Sequence, residues 1–480
     1  MSVKNTHRDY DAMADLWKRC RDAVKGQKAM HAAGELYLPK LSGESDADYK
    51  ARRTRSDFFN ATWRTISGLN GMAFRKPPTR KLPGLLESYA KDITLSGVNL
   101  DALAEQIDEE VLEVGRVGLL VDHPTMPENV ESISQAVAEA QGHRPFMRTY
   151  PAESIRNWKF KSINNSWKLC QVVLAEAAEV VKDEFTTEIV ERYRVLDLDD
   201  ANQYRQRVFE VIDGKDVLVE GPVFPLMNGK PLDYIPFAMI GRSGKGDAID
   251  EPPLIDLADA NIAHYQINSD YRHGLHFTAL PTLFLAGVAE SVNQDGSVNP
   301  IYIGGQTAIT SNDPNARGMF IEYTGQGLGA VSTALKELEQ RMAILGARMI
   351  VDNAQREKTA TQAVIDTTGE NSILARIVIA SSEAIEWALG IMAQWAGVSG
   401  EIVYQINREF MPAGVSAQDL TAYMAAVQQG LMSEREFYEI LQRGDVIDGQ
   451  KDYELHSEEI DQRPLPSPTN SAPLLTDQAA

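Results

Sequence analysis

Three histidines lie close together in the chain: His264, His273 and His276. At 100° per residue His273 and His276 share one face of a helix, a spacing that permits metal binding. No cysteine or carboxylate at ligand spacing completes a set, so the pattern favours surface or interface histidines. The two cysteines, Cys20 and Cys170, make neither a metal spacing nor a disulfide framework. The glycines of Gly115-Arg-Val-Gly118 are wrongly spaced for a phosphate loop, and no Lys-Ser/Thr follows them. The sequence has no Gly-x-Ser-x-Gly elbow, His-Glu-x-x-His or Walker motif. Carboxylates are abundant, but no spacing picks out a catalytic pair. From Ala47 to Phe74, Arg52, Arg53, Arg55 and Arg64 interleave with Phe58, Phe59, Trp63 and Phe74. Interleaving of this kind can bind nucleic acid. Here the aromatics follow a helical face, which predicts a packed helix with a solvated Arg face.

The elements that must carry these residues belong to a chain of 480 residues, long enough for two to four domains. It is 43% hydrophobic and 24% charged, and it has no apolar run of membrane-spanning length. The polar stretch Met1 to Tyr10 lacks a signal core, so folding inside a reducing cell is expected. The formal net charge of −21 argues against general binding to phosphate backbones, which needs a basic footprint. An ordinary acidic protein fits that charge, and so does a surface that sits near DNA without sticking to it.

Residues 5–75 read as mainly helical, with Tyr10, Met13, Leu16 and Trp17 at helical spacing. Pro77 and Pro78 end that segment. Asn99 to Val114 reads as an amphipathic helix and Gly115 to Val121 as a strand. Between Pro145 and Ile240 short β-type runs take over: Cys170–Leu174, Glu188–Val195, Arg207–Ile212 and Ile235–Ile240. Pro252 and Pro253 introduce a helix reaching about Phe277. A second helix, from about Gly329 to Ile350, carries Leu335, Leu338, Met342, Leu345 and Met349 on one face. Between them lies a Gly- and Asn-rich insert with short strands at Leu280–Ala286, Asn299–Ile303 and Met319–Tyr323. Two antiparallel rods with a small module at the far end describe a stalk.

Val351 to Lys358 is a polar interruption. A long helix is expected from about Thr359 to Ala396, bent by Gly369 and Gly390. Its later part is apolar around much of its circumference and must be buried, within the subunit or between subunits. A strand-like Glu401–Ile406 follows, then a helix capped by Ser416 and another opened by a Ser433/Glu436 capping box. The tail from Ser457 is Pro-rich and reads as flexible.

This order of parts resembles the portal, or head-to-tail connector, family of tailed bacteriophages. Phe59-Asn-Ala-Thr-Trp-Arg-Thr-Ile66 with Gly71-Met-Ala-Phe-Arg-Lys-Pro-Pro78 looks like the start of the wing. Gly115-Arg-Val-Gly-Leu-Leu-Val-Asp-His-Pro124 looks like the wing strand. Asp259-Ala-Asn-Ile-Ala-His-Tyr-Gln-Ile-Asn-Ser-Asp-Tyr-Arg272, then Ala279-Leu-Pro281, is similar to the first stem helix leading into the clip. Thr359-Ala-Thr-Gln-Ala363 with Glu370-Asn-Ser-Ile-Leu374 is similar to the segment after the tunnel loop. The resemblance covers roughly residues 10–455.

The resemblance implies an α+β subunit with a mixed α/β wing, a two-helix stem, a small clip module, a long kinked helix and a helical crown. It divides the chain into a wing over 1–250, stem helices at 251–278 and 328–350, and a clip at 279–327. A tunnel loop at 351–358, a long wing/crown helix at 359–398, a crown at 399–456 and a flexible tail at 457–480 complete it. The function implied is a dodecameric ring at one capsid vertex of the virion, assembled in the host cytoplasm. It conducts double-stranded DNA without sequence specificity during packaging, retention and ejection. Implied partners are the terminase large subunit, head-completion or adaptor proteins, and the major capsid and scaffolding proteins. No membrane, cofactor or metal is implied, and no enzymatic activity. Asn353, Gln355, Arg356 and Lys358 are expected to meet DNA in the channel. Ile373, Ile377, Ile385, Trp387 and Trp395 are expected to form a ring interface. Rival readings are another structural virion protein, such as a capsid or tail-adaptor component, and a metal-dependent hydrolase with a hidden acidic site.

Overall fold

In this computed structural model the described residues are 2–124, 142–279, 282–287, 313–321, 325–350 and 372–410, with 423, 426–427, 432–443 and 453–454. The protein is mixed α+β, with ten α-helices and several small antiparallel sheets among these residues. It divides into two units, 1–408 and 409–480.

The first unit opens with α1 (Arg8–Lys25), α2 (Gln27–Ala33), α3 (Asp46–Arg55) and α4 (Ala61–Ala73). The short strand β1 (Thr79–Lys81) leads to α5 (Gly84–Tyr89) and α6 (Leu100–Val114). Asn99 caps α6 by accepting from the Ala102 amide, and Gly115 ends it in the left-handed region at φ 80°. A Cβ on Gly115 would also lie 2.9 Å from the Asp250 carbonyl. Strands β2 (Arg116–Asp122) and β3 (Phe146–Pro151) follow.

The next strands, β4 (Ile155–Ile163), β5 (Ser166–Val181), β6 (Thr187–Leu198), β7 (Tyr204–Ile212) and β8 (Lys215–Val223), form a five-stranded antiparallel meander. Asn164 and Asn165, both at positive φ, close its first hairpin. Its inner face supplies Trp158, Val172, Leu174, Leu196 and Tyr204 to a core shared with Trp17, Leu120 and Phe237. After the small hairpin β9 (Leu226–Met227) and β10 (Lys230–Pro231) come β11 (Phe237–Gly241) and β12 (Gly244–Lys245). A four-stranded sheet then runs β12-β11-β2-β3.

Helix α7 (Ile255–Thr278) runs into strand β13 (Thr282–Ala286), and β14 (Arg317–Ile321) returns into helix α8 (Leu328–Ala347). Helix α9 (Ile373–Ala396) and strand β15 (Val403–Gln405) complete the unit, with β15 pairing antiparallel to β1. The second unit is described chiefly by α10 (Glu434–Arg443). The Ser433 hydroxyl accepts from the Glu436 amide at 3.1 Å, and the Glu436 carboxylate accepts from the Ser433 amide at 2.8 Å. That is the expected capping box. The helix expected after Ser416 and the tail from Ser457 lie outside the described residues.

Two expectations need correction. The long helix does not run unbroken from Thr359. Ser372 sits in extended backbone at ψ 161° and its side chain accepts from the Ala375 amide, so α9 starts at Ile373 behind an N-cap. The apolar circumference of α9 is met largely inside the chain itself. Ile377 and Ile385 are fully buried, against elements that include α6, β2 and β11. Ile373, Trp387 and Trp395 are half-buried. The Trp395 indole N–H donates to the Leu226 carbonyl at 3.0 Å, and Trp387 lies under the Lys245 ammonium at 5.6 Å. Unsatisfied apolar surface on this helix is therefore no argument for a ring interface.

Candidate functional site

Helix α7 is fixed to the N-terminal helices by polar groups on its buried face. Asn261, Tyr265 and Ser269 recur every four residues and are all buried. The Asn261 side-chain oxygen accepts from the Ala61 and Thr62 amides at 3.0 and 3.1 Å and from the Thr62 hydroxyl at 3.0 Å. Its amide nitrogen donates to the Phe59 carbonyl at 2.7 Å. Asn261 thus adds, from another helix, to the start of α4, where Asn60 caps the Trp63 amide and the Ala61 amide also meets the Phe59 carbonyl. The Ser269 hydroxyl takes hydrogen bonds from Ser56 at 2.7 Å and Arg52 at 3.2 Å.

Arg52 corrects the expected solvated Arg face. It is 2% exposed, and its Nε and Nη2 donate to the two Glu44 oxygens at 2.8 Å each. That guanidinium holds the Glu44 carboxyl down at about 2. Conversely, Trp63 is 47% exposed and Phe59 is also exposed, with the Arg64 guanidinium 4.8 Å above the Phe59 ring. The expectation holds for buried Phe58 and exposed Arg55 and Arg64, and fails at Arg52 because the buried Arg brings its own carboxylate, which sequence spacing alone did not assign.

Beyond Ser269 Asp270, Arg272, Leu275 and Phe277 are exposed, while Arg272 still pairs with Asp57 at 3.0 Å. Helix α8 runs back beside them. His264 meets Glu339 at 3.3 Å, a Cβ on Gly274 would touch the Leu328 side chain, and one on Gly325 would touch Thr278. The same pairing continues into the strands, where Thr282 faces Ile321 and Ala286 faces Arg317. Among the described residues the two helices lie side by side and the two strands pair antiparallel. The strands expose Phe284, Met319, Phe320 and Ile321.

The three histidines do not converge. His264 is buried beside Glu339 and 6.0 Å from the Phe59 ring. The His273 ring meets Phe277 edge-on at 4.7 Å, and burial, with Arg52 and Arg55 nearby, lowers its pKa. His276 sits 3.3 Å from the Arg55 guanidinium, a poor neighbour for a metal ion. Among the described residues no group of three or more His, Cys, Asp or Glu is placed to hold a metal, and no helix is long and apolar enough to cross a membrane. A cleft of about 630 Å³ is lined by residues including Asp122, Arg194, Gln206 and Glu220. Its polar groups are already engaged by other side chains, Glu220 by Arg192 at 3.3 Å. Asp122 accepts from Gln206 at 2.8 Å, and Arg194 is bidentate to Glu176 at 2.8 and 3.2 Å.

Asn353, Gln355, Arg356 and Lys358 lie outside the described residues. The ends of their segment do not. The Leu374 amide donates to the Met349 carbonyl at 3.1 Å, so the chain departing after α8 comes back to the same point before α9. Among the described residues Asp108 has no partner of opposite charge. Asp108, on α6, is fully buried and neither oxygen finds a hydrogen bond. Burial pushes its carboxyl up to about 7; the Ser381 hydroxyl pulls it back without completing a well-formed bond.

A family described as a domain of unknown function (DUF4055) matches residues 253–396, the stretch from just before α7 to the end of α9. No curated protein matches the chain. Among solved structures, the chain is similar to one from the neck of an empty GTA particle with C6 symmetry. The identity is 11% and the TM-score 0.38, over 87% of this chain and 98% of that one. A chain from the virion of a native gene transfer agent (GTA) particle gives 11% and 0.37, over 86% and 96%. One from the neck of a native GTA particle with C12 symmetry gives 11% and 0.38, over 78% and 87%. Likenesses this distant leave function to be argued from the chain's own geometry.

Proposed function

We propose that the protein is a portal-type connector subunit: a ring-forming structural protein of a phage-like particle that conducts double-stranded DNA through one capsid vertex. The observation that carries this reading is the arm, two long neighbouring helices with an antiparallel strand pair between them in the chain. An arm of this shape is costly to leave exposed and useful when several copies stand side by side. On this reading α7 and α8 are the stem and β13–β14 belong to the clip, with residues 1–250 as the wing. The segment carrying Asn353, Gln355, Arg356 and Lys358 is the tunnel loop. A net charge of −21 per copy suits a conduit, because acidic walls repel DNA and let it slide.

The partners proposed are further copies of the chain in a dodecameric ring, a terminase large subunit, head-completion or adaptor proteins, and capsid and scaffolding proteins. The protein acts as conduit and docking platform with no catalytic step. Negative-stain electron microscopy with native mass spectrometry at micromolar concentration tests it. Closed rings with a central hole are expected. A monomer under all salt and magnesium conditions, with or without a co-expressed scaffold, would overturn it.

A further inference from the structure

Helices α6 and α9 pack against each other, and their buried residues are almost all apolar. The exceptions are Asp108 and Glu113 on α6 and Ser381 and Ser382 on α9. Glu113 is answered by Arg21 at 2.8 Å. Ser382 donates to the Val378 carbonyl at 2.7 Å and accepts from the Ile406 amide at 3.1 Å. Asp108 and Ser381 are different. Both are 0% exposed, and none of their three side-chain oxygens makes a well-formed hydrogen bond. The Ser381 hydroxyl is nevertheless the polar group that acts on the Asp108 carboxyl, so the two face each other across the helix pair.

Among the described residues no cation answers Asp108 from the elements around it. On α4 the polar neighbour of α6 is Asn70, whose amide donates to the Glu105 carbonyl at 3.3 Å. On β15 it is Tyr404, whose hydroxyl donates to Asp101 at 3.0 Å and whose amide donates to Glu386 at 2.9 Å. Arg80 is held by Asp101 at 3.1 Å and Glu87 at 3.0 Å. Arg21 on α1 is committed to Glu110, Glu113 and Glu153, and Arg116 on β2 reaches Met239. The charged residues of α9 nearest in sequence to Ser381, Arg376 and Glu383, point to solvent.

We infer that Asp108 is a proton-operated lock between α6 and α9: as the neutral acid it lies closed against Ser381, and as the carboxylate it prises the helices apart and draws in water. A neutral carboxyl carries a proton that it can share with the Ser381 oxygen, whereas a carboxylate has one hydroxyl to meet it in an apolar seam. Burial raises the carboxyl to about 7 from the ordinary 3.8. The closed interface thus holds the proton more tightly than an opened one. Closure is complete at low pH, weakens as pH rises past 3.8, and the loss levels off above about 7. Ser381 lies about 10 Å along α9 from Leu374, whose amide holds the Met349 carbonyl. Opening at Ser381 therefore acts close to the point where the chain leaves α8 and enters α9. The inference stands on the fold alone, whether or not copies of the chain assemble.

Hydrogen–deuterium exchange of the full-length protein, read by peptide mass spectrometry and corrected for the intrinsic rate at each pH, tests it. Between pH 5 and pH 7.5 the opening of amides in 104–112 and 375–385 should rise at least about tenfold, with about a hundredfold as the limit set by two pH units below the raised value. Peptides of β5 and β6 should change less. Asp108→Asn, which does not ionise, should show the same protection at both pH values. Ser381→Ala removes the hydroxyl that favours the charge, so the levelling-off should move to higher pH; this variant also carries the test if Asp108→Asn fails to fold. Wild-type protection that does not change with pH would overturn the lock. So would an Asp108→Asn protein that changes as wild type does, a levelling-off that Ser381→Ala leaves in place, or a loss spread evenly over β5 and β6.

Discussion

Asp108→Asn should make the protein more stable at pH 8 and little different at pH 4. Asp108 is fully buried with no cation beside it among the described residues, and burial raises its carboxyl to about 7 from the ordinary 3.8. A carboxyl raised by folding binds its proton more tightly in the native state than in the unfolded chain. Between those two values the native state holds the extra proton, so stability falls as pH rises. Above about 7 the loss is complete. At about 1.4 kcal/mol per pH unit it amounts to roughly 4 kcal/mol, an upper bound because buried groups relax. The amide of Asn fills the same volume and does not ionise. Urea midpoints of the isolated protein, measured from pH 4 to 8.5 with matched m-values, should therefore diverge: wild type declines, the variant stays level through that window. Two curves that remain parallel from pH 5 to 8 would show that Asp108 does not titrate there, and the reasoning would be wrong.

Three further outcomes follow from the site. Asn261→Ala removes the acceptor for two helix-start amides and a hydroxyl, and should cost about 2–3 kcal/mol in urea unfolding while loosening α4 from α7 by hydrogen exchange. Arg52→Met strands the Glu44 carboxylate and should cost roughly 3–5 kcal/mol at pH 7. Because Glu44 is depressed to about 2, that contribution is whole above its ordinary 4.5 and disappears as pH falls towards 2, so the variant and wild type should converge in acid melts. On the connector reading, in which they would sit on a channel loop, Arg356→Ala with Lys358→Ala should leave ring assembly intact in the microscope and change DNA packaging or retention in assembled heads, since loop tips contribute little packing. Full genomes held as in wild type would remove the loop from the channel.

Periodicity located the arm, because α7 and α8 repeat apolar residues at helical spacing and are flanked by Pro252-Pro253 and a Gly-rich insert. It was silent on what fixes the arm. The spacing of eight between Asn261 and Ser269 on a buried face was the available signal. Cys170–Leu174 marked only the core-facing middle of β5, which extends from Ser166 to Val181 because its outer half alternates charges and alanines that pattern reading discounts. Strand β8 went unseen since Gly221-Pro222 resembles a turn. The start of α9 was placed too early because the helix was begun at Thr359 and the serine cap at 372 was passed over, although the β-branched residues before Gly369 are weak helix formers. A single core acid among the many carboxylates of α6 has no sequence signature at all. Its burial is decided by α9, hundreds of residues away.

The bond from Leu374 to Met349 has an evolutionary side. Because the chain leaves and re-enters at one point, residues can be added or removed between 350 and 372 without shifting either helix. Doubling such a segment costs only about 0.6 kcal/mol of closure entropy. The stretch proposed to touch cargo is thereby the part of this scaffold freest to change in length and chemistry, while the frame that holds it stays the same.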